Sequence, residues 1–270
     1  MPESYTVITF EKKDHIAEVF LNRPEKSNAM NPRFWPEIKD AFQKIDRDPE
    51  VRAAIIAGNG KNFSAGLDLV ESVASFKASE GSQEMDSMFH MVLEMQESFN
   101  AIERCKKPVI AVIHGVCIGG GLDLVAACDI RLAAQDARFS LREARVGMIA
   151  DLGSLNRLPA IIGQGHTREL AFTGKNIDAE RAFRIGLVND IYPDRESCLK
   201  AAYGLAAEIA AAAPMGVQGS KEVLNAVRDL SLSDSLAYVA ARNCLILRSA
   251  DVIEAFAAFM QKRKPDFKGK

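Results

Sequence analysis

An all-apolar run at Val109–Ile113 leads within a few residues into three consecutive glycines, Gly119-Gly120-Gly121, and then into a helix expected at 122–128. A strand without a polar face has to be covered on both sides, which places it inside a layered sheet with helices above and below. Glycines beyond its end let the chain turn sharply and bring bare backbone close to whatever lies there. The same order occurs earlier: an apolar run at 53–57, the turn Gly58-Asn59-Gly60, then Asn62-Phe63-Ser64-Ala65-Gly66-Leu67-Asp68-Leu69 entering a helix. Repeated strand, small-residue turn and helix is the pattern of an α/β fold.

The flanking segments agree. Residues 5–10 and 15–21 carry β-branched side chains at roughly alternating positions, with Lys12-Lys13-Asp14 between them, which predicts a hairpin. Asn31-Pro32 predicts a helix cap with proline in the first turn, and Phe34, Trp35, Ile38, Phe42 and Ile45 continue at helical spacing. A second helix is expected over 85–104, with Met88, Val92, Met95 and Phe99 on one stripe and Lys107-Pro108 ending it. Short strands are expected at 130–133, 137–141 and 187–192. Four helices then follow over 197–213, 215–229, 233–248 and 251–262, the alanine-rich first one packing through Leu205 and Ile209. We therefore expect a core domain at 1–195 and a helical region at 196–270.

At 270 residues the chain is long enough to bury a sizeable core. Its formal charge of −2 provides no basic surplus for nucleic acid. Asp123 and Asp129 interrupt the best candidate for a membrane span. Five cysteines, Cys105, Cys117, Cys128, Cys198 and Cys244, form no C-x-x-C pair and read as buried thiols in a reducing compartment. Residues 1–13 lack an apolar signal core, and Lys268-Gly269-Lys270 is not a peroxisomal tripeptide, so a cytoplasmic location is expected. His15, His90, His114 and His166 are scattered, and no metal site is expected.

The glycine cluster is not a nucleotide loop. G-x-G-x-x-G from Gly119 would need glycine where Leu124 stands, and Gly60-Lys61 and Gly174-Lys175 are each followed by asparagine rather than Ser or Thr. Two readings stay open for it. Glycines permit close packing of helix on strand, and they also expose helix N-terminal N–H groups that can hold an anionic oxygen. Two such turns, one at 62–69 and one at 114–121, would make an oxyanion hole if they converge.

Taken together, several segments resemble the enoyl-CoA hydratase/isomerase (crotonase) superfamily over essentially the whole chain. They are Asn22-Arg23-Pro24-Glu25-Lys26-Ser27-Asn28-Ala29-Met30, Phe63 to Leu69, Gly119-Gly120-Gly121 with Cys128-Asp129-Ile130, and Phe259-Met260-Gln261-Lys262-Arg263-Lys264-Pro265. The resemblance implies a spiral of β-β-α repeats, C-terminal helices that assemble homotrimers or hexamers, and an acyl-CoA thioester as substrate with no separate cofactor. It places the backbone N–H groups of Leu67 and Gly120 on the thioester oxygen. It places Lys26, Ala29, Ser64, Ala65, Gly66, Asp68 and Leu69 along the CoA site, and Phe259 and Lys262 where a neighbouring subunit's CoA is reached. From the residues themselves, Asp68 and Asp129 read equally as loop or cap groups.

Three acids point to the reaction. Hydratases of this family use two glutamates; here those places hold Asp123 and Glu143, and Asp151 stands where hydratases have glycine. Cys117 to Leu124 and Arg142 to Leu155 are most similar to the Δ3,5-Δ2,4-dienoyl-CoA isomerase subfamily. Moving two double bonds requires losing a proton at C2 and gaining one at C6, sites too far apart for one short carboxyl group. A buried, interacting set can hold one acid ionised and another protonated. Glu143 is expected to act at C2, Asp151 at C6, and Asp123 to set their protonation or orientation. Asp123 is otherwise explained as a helix N-terminal charge and Asp151 as a cap for the helix near Gly153. An enoyl-CoA hydratase, or a non-catalytic RNA- or protein-binding member, are the competing readings. Phe76, Met88, Phe89 and Val92 are candidates for the acyl pocket.

Overall fold

The computed structural model describes residues 5–72 and 82–270. The chain opens with β1 (Ile8–Lys13), β2 (Ile16–Leu21), α1 (Phe34–Arg47), β3 (Ala53–Gly58), α2 (Leu69–Ser72) and α3 (Ser82–Arg104). It continues through β4 (Val109–Ile113), β5 (Val116–Ile118), α4 (Gly120–Ala126), β6 (Ile130–Ala134), β7 (Arg138–Ser140) and α5 (Ser154–Thr173). Then come β8 (Ile177–Asp178), α6 (Ala179–Arg184), β9 (Asp190–Tyr192), α7 (Arg195–Ala211), α8 (Pro214–Ala226), α9 (Leu232–Ile246) and α10 (Ala250–Gln261).

One sheet has the order β1-β2-β3-β4-β6-β9 and a smaller one the order β5-β7-β8. The hairpin β1–β2 is antiparallel, while β2 through β9 of the large sheet run parallel. Every residue of β3 and of β4 is buried, as their unbroken apolar character requires. On one face α1 contributes Phe34, Trp35, Ile38, Ala41, Phe42 and Ile45, all buried. Full burial of side chains this size stabilises by roughly 1.5–3 kcal/mol each. On the other face α7 lies against the sheet through Cys198, Ala202 and Ala206. Small residues let that helix approach closely; Leu205 and Ile209, expected to form its packing face, are only partly buried at its margin.

Other expectations need correction. Asn31 does not cap α1: its amide donates to Glu71 Oε2 at 3.0 Å, and Arg33 stands at the cap without a side-chain bond. Strand 187–192 shortens to β9, because Leu187 turns into the core. Of the cysteines, Cys244 is exposed; the other four are buried free thiols. The large sheet's parallel strands all point their carboxyl ends the same way. The chain leaves β3 and β4 there, so the loops carrying Leu67 and Gly120 lie on the same side of the sheet.

Candidate active site

The segment 23–30 forms the floor of this region. Arg23 donates through Nη1 to the Ala29 carbonyl at 2.6 Å and to Asp68 at 3.0 Å. Asn28 is 3% exposed and donates to the carbonyls of Asn59, Asn62 and Phe63. Met30 then forms an isolated parallel bridge with Leu67: Met30 N–H donates to the Gly66 carbonyl at 2.8 Å, and Asp68 N–H donates to the Met30 carbonyl at 3.0 Å. A parallel bridge uses the flanking groups of the opposed residue, so the N–H of Leu67 itself points away from Met30.

Gly120 lies close to it. A Cβ placed on Gly120 would lie 3.8 Å from the Leu67 nitrogen, and one on Gly66 would lie 3.1 Å from the Gly120 nitrogen. Gly120 is the first residue of α4, where no intrahelical acceptor exists. Neither N–H donates to a protein acceptor among the described residues. Gly66 at φ +80° and Gly119 at φ +53° make the two turns that bring them together. Ala65, Leu67, Leu69, Ile118, Gly119, Gly120, Arg142, Glu143, Val146 and Met148 line the cleft they open on.

Glu143 reaches this cleft from a short 3₁₀ turn after β7, its Oε1 3.2 Å from where a Cβ on Gly119 would sit. Asp123, on α4, is 1% exposed, and its Oδ1 accepts the Ser154 N–H at 2.6 Å. Asp123, not Asp151, therefore holds the N-terminus of α5. Asp123 Oδ2 and Glu143 Oε2 are buried without a hydrogen-bond partner among the described residues. Burial pushes Asp123 up to about 6, against the help of Ser154. Burial, reinforced by the negative charges of Asp123 and Asp151, pushes Glu143 up to about 7.

Asp151 differs from these two. The expected buried set of three is corrected: Asp151 is exposed and lines a separate polar cavity with Gln96, Asn100, Asn156 and Arg157, not the cleft that Glu143 lines. Partial removal from water still raises its pKa, and its charge is felt by both other acids.

The remaining candidates divide. Ala65 and Leu69 line the cleft. Lys26 is exposed and Ala29 half-buried on the segment docked against it. Ser64 Oγ donates to the Asn28 carbonyl and accepts the Gly66 N–H, and Asp68 pairs with Arg23 while accepting the Glu71 N–H, so their polar atoms serve the loop. Phe259 and Lys262 stand exposed at the end of α10. Phe76 lies outside the described residues; Met88 and Val92 are half-buried and Phe89 is exposed. A cavity between α1 and α3 is instead lined by Trp35, Leu67, Met91, Met95 and Ser98. His114 Nε2 donates to the Gly60 carbonyl at 2.9 Å, and Asp129 accepts from Val109 N–H and Lys221 Nζ, both structural placements. Sequence reasoning passed over Arg142 and Ser154, whose neighbours in the chain were both under consideration.

The sequence profile of the enoyl-CoA hydratase/isomerase family matches residues 11–270. The chain belongs to that family. Within the enoyl-CoA hydratase/isomerase family it is 45% identical to a human protein named Delta(3,5)-Delta(2,4)-dienoyl-CoA isomerase, mitochondrial, over 97% of this chain and 80% of the relative. It is 38% identical to an Arabidopsis thaliana protein named Delta(3,5)-Delta(2,4)-dienoyl-CoA isomerase, peroxisomal, over 98% of each chain. A crystal structure of enoyl-CoA hydratase from Bacillus anthracis superposes with a TM-score of 0.91 at 30% identity, covering 98% of this chain and all of that one. The mixed sheets and helices described above are thus a crotonase-type fold with a helical C-terminal region. As an enzyme of this family it has no described helix long and apolar enough to cross a membrane.

Proposed function

We propose that this enzyme converts 3,5-dienoyl-CoA to 2,4-dienoyl-CoA. The observation that supports the reading is the mutual influence of the acids: Glu143 lies in the cleft at Gly120, Asp151 lines a separate cavity, and buried Asp123 feels Asp151 while Glu143 feels both. The thioester oxygen accepts from Leu67 and Gly120 N–H, which puts C1 at the cleft and C2 nearest Glu143. Donors fixed in place before the reaction stabilise the developing dienolate without reorganising.

Glu143 carboxylate takes a proton from C2, and the electron pair of that C–H bond moves into the dienolate. Asp151 then gives a proton to C6, leaving conjugated double bonds at C2 and C4. One proton leaves the substrate and one enters, so the reaction is redox-neutral and needs no cofactor beyond the thioester. Exposure of Asp151 lets water restore the starting protonation. Asp123 has one oxygen tied to Ser154 N–H, a seat that suits tuning its neighbours more than activating water as a hydratase would require.

The acyl-CoA substrate, with Lys26, Ala29, Ala65 and Leu69 near the nucleotide-bearing part, belongs to the same proposal. So does assembly as a homotrimer or hexamer through 196–270, supported by exposed apolar side chains on α9 and α10 such as Leu236 at 61%, Phe256 at 68% and Phe259 at 81%. In such an assembly Phe259 and Lys262 would meet a neighbour's CoA. A cytoplasmic location is likewise proposed; four buried free thiols support a reducing compartment.

The test is a panel of saturated, 2-enoyl, 3-enoyl and 3,5-dienoyl thioesters followed by ultraviolet absorbance and mass. Conjugated dienoyl product from the 3,5-dienoyl thioester is expected. Hydration of the 2-enoyl thioester with no dienoyl turnover would overturn the reading.

A further inference from the structure

Arg157 takes no part in the proton transfers above, yet it is 8% exposed in the first turns of α5. Its Nε and Nη2 donate to Glu103 Oε2 on α3 at 3.0 and 2.8 Å, and Nη2 also donates to Asn100 Oδ1 at 2.7 Å. Nη1 donates to the carbonyl of Leu152 at 3.3 Å, the residue after Asp151. The guanidinium occupies space that a side chain at Gly153 would need: a Cβ there would stand 1.8 Å from Nη1, and Gly153 has φ +119°.

Two further side chains hold the same turn. Gln96 Nε2 on α3 donates to the Asp151 carbonyl at 2.6 Å, and Asp123 on α4 accepts the Ser154 N–H at 2.6 Å. Backbone groups at 151, 152 and 154 are therefore tied by three side chains from three helices. A buried ion pair alone is weak evidence for stability. Ties to backbone groups flanking one acid instead restrict where that acid can be.

We propose that Arg157, paired with Glu103, is a positioning residue that holds Asp151 at the distance from Glu143 that delivery of a proton to C6 requires. This rests on the isomerase reading of the site. The titratable and charged groups facing Arg157 are Glu103 from α3, Asp123 and Cys128 from α4 and its end, Asp151 from the turn, and Arg228 after α8, which shares Glu103. The positive charge of Arg157 also draws the Asp123 pKa down against burial. Losing it lets Asp123 hold its proton to higher pH.

The experiment compares wild type, Arg157→Gln, Arg157→Lys and Gln96→Ala on 3,5-dienoyl-CoA, with thermal denaturation alongside and the reaction repeated in deuterated water. Misplacement of a reacting group by about 1 Å costs on the order of 10²-fold. We expect Arg157→Gln to lose roughly that factor in kcat with KM little changed, while exchange of C2 hydrogen with solvent continues. Arg157→Lys should recover part of the loss, and Gln96→Ala, which removes one half-buried amide, should show a smaller loss in the same direction. Should Arg157→Gln fail to fold, Arg157→Lys and Gln96→Ala still read the effect. Wild-type kcat in the folded variants, or C2 exchange falling in parallel with isomerisation, overturns the inference. Wild type that does not isomerise 3,5-dienoyl-CoA overturns the underlying reading first, a result distinct from an active wild type with indifferent variants.

Discussion

The Cβ position of Gly120 lies 3.8 Å from the amide nitrogen of Leu67, the other donor proposed for the thioester oxygen. Its tightest contact is Met30 Sδ at 3.0 Å, the flexible end of a side chain that can give way. Gly120→Ala should therefore fold, because helix α4 gains a better helix former. The methyl group should crowd the thioester oxygen off its donors. Loss of one such donor costs roughly 10²–10³-fold in kcat, and steady-state kinetics on 3,5-dienoyl-CoA would measure it. Unchanged kcat would remove these amides from the mechanism.

Gly119 makes a different demand. At φ +53° and ψ −126° it occupies backbone space essentially closed to other residues. Gly119→Ala is expected to cost about 1–3 kcal/mol of stability, and its methyl would press on Glu143 at 3.2 Å. Chemical denaturation should show the stability loss and kinetics an accompanying loss of activity. A variant as stable as wild type would mean the turn can relax.

The carboxyl group titrating at about 7 sets a pH dependence. A pair that must carry one proton between Glu143 and Asp151 loses its last proton as pH rises through that value, so kcat/KM should fall there. The negative charge of Asp123 helps hold that proton. Asp123→Asn should shift the alkaline limb to lower pH, and Arg157→Gln, which lets Asp123 keep its proton and so weakens the charge acting on Glu143, should shift it the same way. A profile flat across pH 6 to 8 in all three would contradict the shared proton.

Stability should run against activity at Glu143. Its folded pKa is raised to about 7 from 4.5, so between those values the native state binds more protons than the unfolded chain. Stability is then fully present below the lower value and is lost as pH rises through the higher one. Glu143→Gln removes the ionisable group and should be more stable than wild type above neutrality, by roughly 2–3 kcal/mol. The same variant should lose on the order of 10²–10⁴-fold in isomerisation. Parallel unfolding curves at acidic and alkaline pH would check the sign.

Asn28 is buried with positive φ and donates to three carbonyls of the 59–63 loop. Asn28→Ala leaves those acceptors short of a donor, at a cost of about 1–3 kcal/mol. The loss should appear in thermal unfolding and as a raised KM, since the Leu67 loop is built on this contact.

The linear chain determined a good deal by local rules. Period and apolar character at 15–21, 53–57 and 109–113 specify strands, and the two with no polar residue had to be interior. Gly66 and Gly119 mark where backbone must turn in ways other residues resist. Motifs in order along the chain were enough to name the family and to single out Asp123, Glu143 and Asp151. What remained undecided was every question of direction and exposure between residues distant in sequence. Only the folded chain brings the Leu67 and Gly120 turns together, because that depends on the bridge of Met30 to Leu67. Only it sends Asp123 to Ser154 and leaves Asp151 at the water's edge, giving three similar acids different proton affinities. A carboxyl group's chemistry is set by the charges, donors and solvent around it, and those neighbours are assembled by packing across more than twenty residues of intervening chain, for Asp123 and Ser154 a separation of 31.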